Sequence, residues 1–298
     1  MEILGAPLGH PDLDAIHSLA ASVREFGALE QSVRVRIGDV GVFNRLVELS
    51  EMAAGPAIRM KEALDAVAEC KAGKQPDRRS GLVSAVRSVV EEDGIPEKWA
   101  VLWVDLAAGD DSPAVLAQVD DEVIRARLAH LDGLTASLEQ LGVNAEVDLC
   151  VVRSHEYYTG IAFEIDILTD QLAFIEVGGG GRYDRLVEHF VTDGHITAVP
   201  ATGWAFGVER LVGVLDQLGL LDQERSVTTT VSLGSASADL LVVPGSDAAG
   251  YVNASRVAAK HRDSGRCVDV YVGDPVDWRR YASARGIAQH ELSAPNED

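Results

Sequence analysis

Three runs carry most of the polar chemistry in this chain. Arg153-Ser154-His155-Glu156-Tyr157-Tyr158-Thr159-Gly160 ends an apolar alternation in an arginine, a tyrosine pair and a Thr-Gly turn. Gly178-Gly179-Gly180-Gly181-Arg182-Tyr183-Asp184 follows two strand-like segments, Ile161 to Leu168 and Leu172 to Val177. Gly203 to Leu211 then leads, through Glu209-Arg210, into an apolar helix. Arg153 can offer a planar fork to a carboxylate or phosphate; its bland alternative is a surface arginine beside a core tyrosine pair. In an extended chain Tyr157 and Tyr158 point to opposite faces, so only one of them lines a pocket. Four glycines predict a sharp turn whose backbone can approach a ligand with N–H groups exposed, or a simple hairpin or bulge. Arg210 can lie over a nucleotide, or be solvated at a helix start. Glu164 and Glu176 on the intervening strands can hold a cationic ligand, although each is more simply a water-facing carboxylate. The glycine run is not a dinucleotide fingerprint, since the GxGxxG spacing and the Walker lysine are absent, and no H-E-x-x-H spacing occurs. The histidines, His10, His17, His155, His189 and His195 among them, show no metal spacing, and Ser154 beside His155 is mere adjacency.

These runs need a sheet and helices to position them. Pro11 to Phe26 is amphipathic, with Asp12 as its expected cap, and Val33, Val35 and Ile37 alternate as a strand that feeds a helix through Gly38 to Gly41. Residues 56–90 are helical with a polar break at Lys71 to Ser80, and Val119 to Leu141 forms a long helix capped by Gly142. Val147, Leu149 and Val151 alternate as a strand running directly into Arg153. Asp222 to Ala238 is polar and reads as a linker. Beyond it, a buried run at Leu240 to Val243, a helix at Ala248 to Ser264, a strand at Val268 to Val272 and a helix at Trp278 to Arg285 predict a small parallel α/β module. The domains expected are therefore a core at 1–221 with a helical insertion at about 50–118, a linker at 222–238 and a module at 239–298.

Composition narrows the function classes. The chain has 298 residues, 47% hydrophobic and 24% charged, with no apolar run of membrane-spanning length and no basic-then-apolar leader. Cys70, Cys150 and Cys267 are far apart and have no ligand spacing, which predicts cytoplasmic thiols. The formal charge of −21 opposes nucleic acid binding, which draws its affinity from basic residues.

Together the three runs resemble the signatures of the histidyl-tRNA synthetase family. Arg153, Tyr157, Tyr158, Phe163 and Glu164 match its first histidine signature, and Gly179, Gly180, Gly181, Arg182, Tyr183 and Asp184 its second. Gly207, Glu209, Arg210 and Leu211 match the third class II motif. The resemblance implies an α/β (α+β) fold: a class II synthetase-like mixed antiparallel sheet flanked by helices, with a small anticodon-binding-like module behind it. It implies a histidine site comprising Glu2, Arg153, Tyr157, Tyr158, Gly179, Gly180, Gly181, Arg182 and Tyr183. Arg210 and Glu209 would stand where the synthetases hold ATP. On that alignment the first class II motif and the ATP-binding arginine of the second lie ahead of Met1; either the start has been placed late or catalysis has been lost.

Within the family, four features are closer to a silent paralogue, the regulatory subunit of ATP phosphoribosyltransferase, than to the ligases. They are Ser154-His155-Glu156, the runs at residues 5–11 and 37–43, a tail with nine Asp/Glu against seven Lys/Arg, and the acidic whole. The resemblance thus implies a non-catalytic histidine-binding subunit, with no cofactor or metal, in an oligomer with the short-form catalytic subunit. The alternative is a histidine–tRNA ligase using ATP and Mg²⁺, with Arg153 and Arg210 catalytic.

Overall fold

The computed structural model describes residues 1–6, 10–27, 32–71, 73, 78–109, 112–153, 157–169, 174–190, 198–221, 238–274 and 276–293. The elements run β1 (Glu2–Leu4), α1 (His10–Glu25), β2 (Val33–Asp39), α2 (Val40–Leu49), α3 (Ala54–Lys71), α4 (Arg79–Glu92), α5 (Glu97–Ala108), α6 (Ser112–Leu116), α7 (Glu122–Gln140) and β3 (Ala145–Val147). They continue with β4 (Ile161–Leu168), β5 (Phe174–Arg182), β6 (Ala201–Phe206), α8 (Val208–Gln217), β7 (Leu240–Val243), α9 (Ala248–Asp263), β8 (Val268–Val270), α10 (Trp278–Arg285) and β9 (His290–Leu292). The main sheet has the order β1-β6-β5-β4-β2-β3 and is antiparallel except where β3 runs parallel to β2. The tail module has a parallel sheet, β8-β7-β9. Of the expected linker at 222–238, residues 222–237 lie outside the described residues, as do Ser154, His155, Glu156 and His195.

Each face of the main sheet has its own cover. Helix α1 buries Leu13, Ile16, Leu19, Ala20 and Val23 along one stripe and lies across β6, β5, β4 and β2. On the other face, the hairpin of α3 and α4 closes over β2. There the Ala68 carbonyl accepts from Arg36 Nη1 at 2.9 Å, and Lys71 pairs with Asp148 at 3.1 Å. The half of that face formed by β5, β6 and β1 carries the site.

The strand expected through Val151 is shorter than its alternation suggests. Pairing stops at Val147. Asp148 then accepts from Cys150 N–H at 3.0 Å, and the Val151 N–H bonds back to the Asp148 carbonyl at 3.0 Å. This side-chain-to-backbone turn breaks the ladder and leaves Leu149, Val151 and Val152 buried outside any strand.

The tail module docks through α9 on α1 and α7. Tyr251 is buried, and its hydroxyl donates to Asp14, while His10 and His17 meet its ring edge-on at 6.0 and 6.5 Å. Residues 10, 14 and 17 share one face of α1, so about two turns of helix clasp the ring. Burial pushes Asp14 up to about 6 and His17 down to about 4. Tyr251→Phe removes the donor from a buried carboxylate, and its expected cost is about 1–3 kcal/mol in thermal unfolding.

Candidate functional site

The glycine run is not a turn. Gly178 to Gly181 lie in the C-terminal half of β5, paired on one side with β4 and on the other with β6, and none has a positive φ. Their missing side chains serve close packing. A Cβ on Gly179 would lie 2.6 Å from Arg153 Nη1, and one on Gly181 would lie 2.8 Å from the Tyr158 ring. These two glycines are the floor on which Arg153 and Tyr158 rest. Gly203, opposite Gly181 on β6, makes the same allowance for the Glu2 carboxylate, which a side chain there would strike.

Above this floor is a cavity of about 540 Å³, bordered by Glu2, Arg153, Tyr157, Tyr158, Tyr183 and Arg210, with Trp204, Phe206 and Leu186 at its rim. Both tyrosines of the pair line it, contrary to the one-sided expectation. Residues 157–159 are not a strand, so the alternation of faces does not apply, and the two rings lie 4.6 Å apart. Tyr183 meets them at 5.9 and 6.4 Å. Burial, then the hydrogen bond with Tyr157, pushes the Tyr158 phenol up, so it stays protonated at neutral pH.

Arg153 has φ +49°, a left-handed backbone that a non-glycine residue adopts at a cost and that gathers at functional sites. Its Nη1 lies 3.2 Å from Glu164 Oε1 and 3.2 Å from Glu176 Oε1. Burial alone would lower its pKa, but Glu164 and Glu176 raise it, so the guanidinium remains a fixed cation. Arg210 Nη1 binds Glu176 Oε2 at 2.9 Å. Behind Glu164 the chain of charges continues, with Arg36 donating to Glu164 Oε2 at 2.6 Å and to Asp166 Oδ2 at 2.7 Å. Glu164 and Glu176 are therefore buried and paired, which corrects their reading as water-facing carboxylates.

Four predicted site residues do not border the cavity. Gly180 and Gly181 sit within the ladder, and Glu209 is exposed at the head of α8. Arg182 points to the opposite face, where Asp12 accepts from its Nε at 2.9 Å and Asp184 from its Nη1 at 2.9 Å. Asp12 thus holds a buried arginine and is not a helix cap. The strand alternation decides Arg182, which is adjacent to the floor glycine Gly181 and so must face away. Sequence reasoning missed the roles of Gly203 and Arg36, and the signal for Arg36 was a pair of arginines, Arg34 and Arg36, on the polar side of the alternation in β2, level with Asp166 and Glu164 of β4.

The sheet order and its two-sided cover define a class II aminoacyl-tRNA synthetase-like core, which solved structures share. A Bacillus halodurans structure described as an ATP phosphoribosyltransferase regulatory subunit/histidyl-tRNA synthetase superposes with TM-score 0.56 at 21% identity, over 98% of this chain and 66% of that one. Histidyl-tRNA synthetase from Nostoc sp. PCC 7120 gives 0.56 at 19%, over 96% and 64%. At these identities the likeness is one of fold. The histidyl-tRNA synthetase family model matches residues 1–211, and the chain belongs to that family. Among curated relatives, histidine–tRNA ligase of Thermococcus kodakarensis is 33% identical over 148 residues, 49% of this chain and 33% of that protein. The Paracoccus denitrificans ligase is 28% identical over 298 residues, 92% of this chain and 57% of that protein. The chain thus spans between a third and somewhat over half of these relatives. Among the described residues no helix is long and apolar enough to cross a membrane.

Proposed function

We propose that this chain binds histidine in the cavity over β5 and β6 and serves as a non-catalytic regulatory subunit of ATP phosphoribosyltransferase. The observation that carries the reading is the pairing of a fixed cation with carboxylates and tyrosine hydroxyls over a side-chain-free floor. Arg153 would receive the carboxylate of the amino acid, and Glu2 its ammonium group. Tyr158 and Tyr183 would flank the imidazole, with the Tyr158 hydroxyl available to donate to a ring nitrogen. The regulatory role is supported by the B. halodurans structure's description and by a net charge of −21, which suits tRNA poorly. Occupancy would act on a short-form catalytic partner in an oligomer through a differential affinity for two states, for which about 1–3 kcal/mol suffices.

A second reading, histidine–tRNA ligase, is favoured by the presence of Arg153 and Arg210 at one cavity and by the names of the curated relatives. There the two arginines would hold ATP and stabilise charge on the transferring phosphate, with Mg²⁺ supplying further charge neutralisation.

Calorimetry with histidine, beside histidine-dependent ATP–pyrophosphate exchange, separates the two. Histidine is expected to bind without supporting exchange, and Arg153→Ala to weaken binding about tenfold or more through loss of a charge-assisted contact. Exchange activity would replace the regulatory reading with the ligase, and absence of histidine binding would sink both.

A further inference from the structure

Arg153 and Arg210 reach the cavity from different elements yet meet on one carboxylate. Glu176 gives Oε1 to Arg153 at 3.2 Å and Oε2 to Arg210 at 2.9 Å. One oxygen to each guanidinium is how two arginines grip a phosphoryl or carboxylate ligand, so Glu176 already occupies the place of an anion. The Glu176 side chain is 9% exposed and that of Arg210 56%. The carboxylate is therefore the buried member of the pair and the arginine the solvent-exposed one.

Strand alternation alone would not bring Glu176 here. Along β4 and β5, Ile165 pairs with Gly178 and Asp166 with Glu176, leaving Val177 unpaired in a bulge. Without that extra residue Val177 would face the cavity and Glu176 the α1 side. The bulge thus spends a ladder position to place a carboxylate between two arginines. Glu2 and Glu176 then balance Arg153 and Arg210 at the cavity wall, while Glu164, 3.2 Å from Arg153, is itself matched by Arg36 at 2.6 Å. Among the described residues at the cavity, a ligand with several negative charges meets no surplus of positive charge, whereas a zwitterion finds both signs.

We propose that Glu176 is a specificity-determining residue, a built-in anion that engages both arginines and excludes oligophosphates from the cavity. The inference rests on the cavity being a small-molecule site, and its test reads phosphate binding, so it can fail separately from the histidine reading. ATP and pyrophosphate are titrated calorimetrically into the wild-type chain, Glu176→Gln and Glu176→Gln/Arg210→Ala. Glu176→Gln should bind ATP about tenfold more tightly than wild type, on the order of one charge-assisted hydrogen bond regained. The double variant should lose that gain. Equal ATP affinity in wild type and Glu176→Gln, including no binding by either, overturns the proposal, as does a gain that survives the loss of Arg210. Should Glu176→Gln fail to fold, Glu176→Asp keeps the charge on a shorter stem that cannot span both arginines. It should then bind ATP at least about threefold more tightly, and no gain there overturns the proposal equally. Histidine titrated in parallel bears only on the earlier reading.

Discussion

Replacing Arg36 with methionine should lower the unfolding free energy by about 3–5 kcal/mol, measured by urea denaturation near neutral pH. Arg36 is 1% exposed in β2 and is surrounded by carboxylates: Asp166 at 2.7 Å, Glu164 at 2.6 Å and Asp148 at 3.7 Å. Methionine can fill the volume but leaves these acids buried without their shared cation, and the uncompensated charge sets the cost. Lys71 remains for Asp148, Arg34 for Asp166 and Arg153 for Glu164, at 3.1, 3.0 and 3.2 Å, and Glu164 bears the largest loss because it gives up the shortest contact, at 2.6 Å. Burial already pushes Glu164 up, against the lowering pull of Arg36. In the variant its folded pKa rises further above the unfolded value. The native state then binds more protons than the unfolded state across that interval, so stability is lost as pH rises through it. The deficit should accordingly be smaller near about pH 5 than near about pH 8. A loss below about 1 kcal/mol, or one that does not vary with pH, would show that the network contributes little. The same substitution should loosen Arg153, because Arg36 and Arg153 take opposite oxygens of Glu164.

Gly180→Ala should cost about 3 kcal/mol and weaken every cavity contact together. An added Cβ would strike the Gly203 carbonyl and lie 2.8 Å from Trp204 Cα. Both are backbone atoms of β6, so no side chain can yield, and relief requires β6 to move away from β5. That movement carries Gly203, and with it the β1 partner Glu2, off the floor. Gly133 provides the contrast, since it lies in α7 with nothing within 4 Å of an added Cβ. Gly133→Ala should stabilise by about 0.5–1 kcal/mol, the ordinary helix gain. If the two substitutions have similar effects, the glycines of β5 are tolerated spacers and the floor is not set by close approach.

Much of this architecture is legible in the residues alone. The stripe from Leu13 to Val23 announces α1, the alternation at Val33 to Ile37 announces β2, and Ile161 to Leu168 is β4 to the residue. The three signature runs also identify the family, because close backbone approach and charged side chains at strand ends tolerate few residue types. Local pattern misleads where a non-local partner intervenes. Asp148 ends a promising strand because Lys71, 77 residues away in sequence, and the Cys150 amide both claim it.

The sequence by itself determined which residues could form a small-molecule site and on which strands they lie, since hydrophobic period and glycine placement are local properties. Only the tertiary structure decided which of them face one another. Arg182 turns away to Asp12 because alternation leaves it no choice, while Glu176 turns inward because a bulge at Val177 shifts that alternation by one. A bulge is a matter of pairing between strands, and an ion pair such as Arg36 with Glu164 joins residues 128 apart. Neither leaves a periodic trace along the chain, so both become visible only when the strands are laid side by side.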